Sequence, residues 1–251
     1  MIRFISYLIH LIIGLIMSLL FTSCHYKVEV DEVFSSMEGS ENIISETRNV
    51  SDFDKIKVSQ AIQVEIIQAN TFDVEVEVND NIMPYLKTEV SNGELKIFFS
   101  KKFNSFRNVD ALVKIKMPHL KSVKASSATG VTSKGLFAGD DLQIDVSSAA
   151  SVKMQTQYDD IAVDASSASS VELSGLSLFT AFEASSAASI DAKDLKANEV
   201  KADVSSGANI STWPIILLDA DASSGGSIKY YNSPSKDLKK SASSGGRIDK
   251  Y

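Results

Sequence analysis

Residues 145–152 read DVSSAASV and contain a four-residue pattern: Ala or Val, two serines, then another small residue. The chain contains seven copies of this pattern. Successive copies lie 18 to 21 residues apart, and their first serines are Ser126, Ser147, Ser166, Ser185, Ser205, Ser223 and Ser243. A fixed period of about twenty residues is typical of a solenoid, in which each repeat forms one coil and buries its apolar face against neighbouring coils. The repeats therefore predict an all-β parallel β-helix of about seven coils over residues 121–251.

Two apolar columns flank the serines when the repeats are aligned. The residue before the first serine is always Ala or Val, and the residue five positions after it is always Val or Ile. Like residues of a parallel stack lie about 4.8 Å apart, so both columns are expected to form ladders inside the solenoid. Strict alternation also predicts that the second serine of each pair points inward and the first outward.

The serines are interpreted as bend residues and not as nucleophiles. A serine nucleophile needs a base within hydrogen-bond reach. The three histidines, His10, His25 and His119, all precede the repeats, and seven equivalent serines cannot share one base. The sequence therefore predicts no catalytic residue.

Acidic residues form a further column, two positions before the first serine of five consecutive repeats. They are Asp145, Asp164, Glu183, Asp203 and Asp221. Like charges in register repel one another, so solvent, lysines or a bound cation must compensate them. Carboxylates suit calcium, which makes these five residues candidate calcium ligands, but the spacing lacks the Gly-Gly-x-Gly-x-Asp nonapeptide of calcium-bound β-rolls. The sequence favours a solvated acidic face and predicts no cofactor.

The N-terminus has the order of a secretory signal over residues 1–23. Arg3 precedes an apolar stretch, residues 4–21, which ends in small polar residues. A retained membrane-spanning helix is the alternative, but polar residues interrupt this stretch, which is at the lower limit for crossing about 30 Å of hydrocarbon. A cleaved signal is therefore favoured.

Cys24, the only cysteine of the chain, is the predicted site of lipid attachment. Residues 21–24 read FTSC and resemble a bacterial lipobox, with Phe21 where Leu is usual. An unmodified thiol beside an ordinary cleavage site is the alternative. Removing residues 1–23 takes away the charge of Arg3 alone, so the net charge goes from −7 to −8. An acidic surface argues against nucleic acid and against electrostatic binding to anionic lipid, which leaves the lipid as the membrane attachment.

Two segments separate the signal from the repeats. Residues 24–49 are acidic with few aromatic residues, and predict a flexible tether. Residues 50–120 predict a β-rich N-terminal part, because apolar and polar residues alternate at 62–66, 74–78 and 113–117. Asn92-Gly93 lies between residues 88–90 and residues 95–99, and predicts a hairpin turn.

Four stretches carry a resemblance to a known family: FDKIKV at 53–58, VEI at 64–66, NGELKI at 92–97 and MPHLKSV at 117–123. Together with the serine repeats, they resemble the head GIN domain family, whose members are named as auto-transporter adhesins, over residues 50–251. The resemblance implies a fold built largely of right-handed parallel β-helix, and export by Bacteroidetes, often as a lipoprotein. It supplies no catalytic or ligand residues to transfer.

The predicted function is binding by a non-catalytic lipoprotein of the cell envelope, in the outer membrane and facing either the periplasm or the surface. The ligand would be a glycan, a matrix or another envelope protein. One alternative is a polysaccharide lyase or hydrolase with Asp145, Asp164 and Glu183 as candidate acids, since β-helices host such enzymes. The repeats differ by only three residues in length, which argues against the long loops of such a cleft. A structural stalk or an envelope-sensing partner protein is the third interpretation.

Overall fold

A computed structural model describes residues 36–100 and 105–251. The predicted signal, Cys24 and residues 24–35 of the predicted tether lie outside the described residues. The described chain is nearly all strand, with one turn of 3-10 helix at Met83–Tyr85. Among these residues, no helix is long and apolar enough to cross a membrane. The predicted all-β solenoid is confirmed.

Eighteen strands follow one another along the described residues. They are β1 (Ser36–Glu38), β2 (Ile43–Arg48), β3 (Lys55–Val58), β4 (Gln63–Gln68), β5 (Asp73–Asn79), β6 (Leu86–Ser91), β7 (Glu94–Phe99), β8 (Ser105–Arg107), β9 (Ala111–Met117), β10 (Ser122–Ala125), β11 (Gly130–Val146), β12 (Ser151–Ala165), β13 (Ser170–Ala184), β14 (Ser189–Val204), β15 (Asn209–Ala222), β16 (Ser227–Tyr230), β17 (Asp237–Ala242) and β18 (Arg247–Lys250). Strands β1 and β8 pair as a sheet of two, and the other sixteen join in one continuous sheet.

Most of the described chain, residues 38–100 and 107–251, forms one compact unit, while residues 36–37 and 105–106 belong to a second. In the larger unit, each coil has two long sides joined by the serine turn. We call the outward surface before the turn the ladder face; it consists of β7, β3, β10, β17 and the ends of β11–β15. The outward surface after the turn is the exit face; it consists of β9, β4, β16, β18 and the beginnings of β11–β15.

Both predicted apolar columns point into the core. The Val and Ile residues lie in register from Val64 and Val131 to Ile228, and each is almost completely buried. The Ala and Val residues from Ala125 to Ala222 are buried in the same way. In the last coil Ala242 is exposed, because a neighbouring coil covers it on one side only.

The serine turn does not continue the alternation of the strand before it. In the second repeat Ser148 and Ala149 both adopt positive φ, 54° and 59°, and the same two positions do so in every repeat. Both residues are exposed, while the following Ala150 is buried. The prediction of an inward second serine is therefore wrong, because alternation applies to extended backbone and two left-handed residues interrupt it. Backbone bonds stack the turns: the Ala149 amide donates to the Ser167 carbonyl at 3.0 Å.

Replacing alanine by glycine at the third position of the turn is expected to stabilise the protein. Ala149, Ala168 and Ala187 have φ of 58° to 61°, where an L-residue is strained, and later repeats already place glycine there. Each substitution should raise the free energy of unfolding by about 0.5–1 kcal/mol, since relief of the strain outweighs the added freedom of the unfolded chain. Urea unfolding of the single and triple variants measures this. The control is Ala150→Gly, which should destabilise, because Ala150 is buried outside the left-handed region.

The parallel stack begins before residue 121, earlier than predicted. Strands β3 and β4 flank a turn in which Gln60 and Ala61 have φ of 69° and 59°, the geometry of the serine turn. The Ala61 amide donates to the Ser127 carbonyl at 2.8 Å, as in a true repeat. Strands β7 and β9 lie beyond them, parallel to β3 and β4. Residues 50–120 thus contribute two further layers to the solenoid.

Antiparallel strands cover the N-terminal end of the stack. Strand β6 pairs with β7 through the predicted hairpin, with positive φ at Asn92 and Gly93. Strand β5 pairs with β9, and β2 pairs with β5. Since β2 spans Ile43–Arg48, the predicted tether of residues 24–49 is wrong for this part. Its side chains are mostly exposed, so backbone pairing with β5 and polar contacts such as the Ser45 hydroxyl donating to Glu75 Oε1 at 2.6 Å hold it in the sheet, and no apolar periodicity signals it.

Candidate functional site

A single column of charged side chains runs along the ladder face. Along the parallel strands, from the N-terminal end, it contains Lys96, Lys57, Lys124, Asp145, Asp164, Glu183, Asp203 and Asp221. Glu89 of the antiparallel strand β6 lies opposite Lys96. The structure thus brings the five predicted acids into one line and places three lysines at its head. Opposite charges are separated along this column, although neighbouring rungs lie only about 4.8 Å apart.

The acids of the column are only partly compensated. The Gln143 side-chain amide donates to Asp145 Oδ1 at 3.1 Å. Lys201 Nζ lies 3.3 Å from Asp203 Oδ2, and this hydrogen bond raises the pKa of Lys201. Within residues 36–100 and 105–251, Asp164, Glu183 and Asp221 have neither an ion pair nor a hydrogen bond through their carboxylates. Asp164 and Asp221 are free for solvent or a ligand, whereas Glu183 lies close enough to Lys201 to help raise the pKa of that lysine.

The exit face differs, because charges of both signs are interspersed there and form ion pairs, although Glu172 and Asp191 are like charges in register. Lys153 and Glu172 lie on neighbouring rungs, with Nζ 2.7 Å from Oε1. Further along, Lys116 Nζ lies 2.9 Å from Asp73 Oδ2. Cross-strand pairs of this kind stabilise a sheet, whereas like charges in register destabilise it. The charge separation of the ladder face is therefore a property of that face and not of the solenoid.

The calcium prediction rests on the same five acids. Among the described residues, no group of three or more His, Cys, Asp or Glu side chains is placed to hold a metal ion. The acids form a line with one carboxylate on each rung, whereas calcium takes six to eight oxygens around one point. Calcium binding by Asp145, Asp164, Glu183, Asp203 and Asp221 stays a prediction from the sequence.

A groove of about 500 Å³ lies beside the charged column. Its floor is the neighbouring outward column, in which Ser122, Gln143, Ala162 and Ala181 follow one another in register. Its far side is the next outward column, formed by Asp141, Asp160 and Phe179. The small floor residues leave a valley between two ridges of longer side chains.

Lysines and an aromatic ring mark the two ends of this groove. Lys55, Lys121 and Lys124 line the N-terminal end, and Phe179 lines the other end with 38% of its surface exposed. The sequence analysis assigned no ligand-binding residue here. No sequence signal singled out Phe179, because Leu176 and Leu178 of the same strand are exposed apolar residues as well.

Comparison with known proteins gives the family. Residues 52–234 match the family model described as "Putative auto-transporter adhesin, head GIN domain". The chain belongs to this family. The match confirms the resemblance found in the sequence, and it indicates an adhesin-like role at the cell envelope or surface for this head GIN domain protein.

Solved structures show the same fold. A protein of Bacteroides fragilis described as a "putative adhesin" superimposes with a TM-score of 0.81 at 22% identity, and the match covers 86% of this chain and 100% of that one. A "putative lipid binding protein" of Parabacteroides distasonis gives 0.69 at 21% identity, with coverage of 86% and 100%. A "putative adhesin" of Parabacteroides merdae gives a TM-score of 0.70 at 18% identity, with coverage of 86% of this chain and 99% of that one. At such identities the likeness establishes the fold alone. No curated protein sequence is significantly similar to the chain.

Proposed function

We propose that this head GIN domain protein is a lipoprotein of the cell envelope that binds a ligand on its ladder face without transforming it. The ligand is a glycan, a matrix component or another envelope protein. The observation that carries the proposal is the separated charge of this face, where Asp164, Glu183 and Asp221 make no hydrogen bond and no ion pair within the described chain. The fold permits paired charges, as the exit face demonstrates, so a binding role accounts for the difference.

The placement of the carboxylates supports a non-catalytic role. Glycosidases hold two carboxyl groups on either side of the scissile bond, about 5–9.5 Å apart. Asp160 lines the groove and Asp164 belongs to the charged column beside it, and four residues of extended strand separate their Cα atoms by about 13 Å. Asp145, Asp164 and Glu183, the acids of the enzymatic alternative, all lie on one side of the groove. None of these arrangements places two carboxylates across a glycosidic bond.

The anchor is proposed to be a lipid on Cys24. Several acyl chains, each contributing about 0.8 kcal/mol per buried methylene, hold a protein firmly at a bilayer. The acidic net charge of −7 gives no electrostatic attraction to anionic lipid, so the covalent lipid is the feature that accounts for membrane attachment.

One experiment with two arms tests the proposal. In cell fractions, the wild-type protein should sediment with membranes and Cys24→Ala should move to the soluble fraction; a variant that still sediments contradicts the anchor. On glycan and matrix-protein arrays, the full-length protein in detergent should bind selectively. Charge reversal of Asp164 and Glu183 to lysine should abolish this binding, while Glu172→Lys on the exit face should not. Equal binding by both variants, or no binding to any glycan or protein, contradicts the binding role.

A further inference from the structure

The groove of the ladder face contains a buried hydroxyl without a partner. Ser122 lies on the groove floor with 6% of its surface exposed, and its Oγ makes no hydrogen bond. Buried polar atoms are nearly always hydrogen-bonded, and leaving one unpaired costs stability. Two threonine hydroxyls, of Thr129 and Thr212, are also unpaired, but they do not line this groove. The orphan hydroxyl in the groove lining points to a ligand group at this position.

The surroundings of Ser122 favour an anionic group. Its neighbour in register on one side is Lys55, which has no ion pair within the described residues. Lys121 and Lys124 line the same end, with their Nζ atoms 3.2 Å from Asp54 Oδ2 and 3.9 Å from Glu94 Oε2. Lys55, which has no ion pair within the described residues, and the Ser122 hydroxyl line this end together with the two paired lysines, and ammonium and hydroxyl groups are donors suited to a carboxylate, sulfate or phosphate.

The remaining length of the groove favours neutral sugars. Asp141 and Asp160 line its far side, and their carboxylates accept hydrogen bonds from hydroxyl groups while repelling further anions. At the far end the exposed ring of Phe179 stands beside Ala162 and Ala181, and an aromatic face beside small residues provides a platform for a sugar ring. From Lys55 to Phe179 there are four rungs, or about 19 Å, which is the length of an oligosaccharide and not of a single sugar.

From these contacts, and resting on the proposed binding function, we infer that the groove binds an oligosaccharide carrying one anionic group. The anionic group lies over Ser122 and the lysines, and the neutral sugars extend along the valley to Phe179. A polyanion does not fit, because a second negative charge would lie beside the carboxylates of Asp141 and Asp160.

Matched oligosaccharides test this inference. The full-length protein in detergent is titrated with a panel of neutral tetrasaccharides and with the same tetrasaccharides carrying one terminal uronic acid, sulfate or phosphate. At least one singly charged member should bind about tenfold or more tightly than its neutral counterpart. The free uronic acid and inorganic phosphate should bind weakly, because they do not reach Phe179.

Paired variants then locate the site. Lys55→Gln and Phe179→Ala should each weaken binding about tenfold or more. Their controls are Lys153→Gln, a lysine on the exit face, and Leu178→Ala, an exposed apolar neighbour of Phe179 that does not line the groove. Neither control should change the affinity for the oligosaccharide.

The Ser122→Ala variant distinguishes a serine that binds the ligand from a serine that only packs, because the two roles predict different melting temperatures. In the free protein, removing an unpaired buried hydroxyl should leave the melting temperature unchanged or raise it, while the affinity for the charged oligosaccharide falls about tenfold. A serine needed only for packing would lower the melting temperature instead.

The outcomes separate this inference from the proposed function. Binding to a protein or matrix ligand with no oligosaccharide binding overturns the inference and leaves the adhesin role. Oligosaccharide binding that ignores the anionic group, or that survives Lys55→Gln and Phe179→Ala, overturns it as well. Binding to no glycan, matrix component or protein overturns both.

Discussion

Gly175→Ala is expected to lower the free energy of unfolding by about 3 kcal/mol or more, the range of severe backbone and packing defects. Gly175 lies directly opposite Thr156 in the parallel register of β12 and β13. A Cβ atom at this position would lie 1.9 Å from the Thr156 carbonyl oxygen, and the φ of Gly175 is 120°. The carbonyl belongs to the backbone of a buried rung and cannot rotate away, so two coils must move apart to admit the methyl group.

Gly135→Ala is the matched control for this experiment. Gly135 has a similar φ of 109°, but nothing lies within 4 Å of the position its Cβ would take. Its substitution should therefore cost only the backbone strain, about 1–2 kcal/mol. Urea unfolding of both variants, followed by far-ultraviolet circular dichroism, measures the difference. Equal losses for the two glycines would contradict the role of the contact with Thr156.

The coil period and the core columns could be predicted because every coil meets the same packing requirement. Val152 and its equivalents fill the same place on each rung, so the requirement appears seven times in the sequence. The turn between β3 and β4 was missed for the opposite reason. Its residues 59–62 read SQAI, so the backbone repeats the serine turn while the serine pair is absent.

The candidate site shows the same limit. The acidic column was visible because its members recur two positions before each serine pair. The groove was not, because it depends on three neighbouring columns whose residues change from rung to rung, from Ser122 and Gln143 to Ala162. Lys124 was visible in the same way, two positions before Ser126, but Lys57 and Lys96 at the head of the column were hidden. Lys57 and Lys96 precede the repeats by many residues, and only the parallel pairing of β3 and β7 brings them into line with Asp145.

Phe182→Ala is expected to lower the free energy of unfolding by about 3–5 kcal/mol, the usual cost of removing a buried aromatic ring. Phe182 is 1% exposed and stands in the inward column between Val163 and Ala202. The ring is the largest side chain of these three, and the small Ala202 cannot fill the space it leaves. Backbone pairing with both neighbouring coils also prevents the coil from collapsing onto the cavity.

Because Phe182 lies in a central coil, its removal is expected to destabilise the neighbouring coils as well as its own. A solenoid gains stability mainly from contacts between adjacent repeats, so a defect in a central coil weakens the coupling between the coils on either side. The urea transition of Phe182→Ala should therefore be broader as well as earlier. Phe179→Ala is the control on the same strand: Phe179 points out from the ladder face with 38% of its surface exposed, and its loss should change stability by no more than about 0.5 kcal/mol. A loss from Phe179→Ala as large as that from Phe182→Ala would contradict the inward and outward assignment of β13, on which both the core and the groove depend.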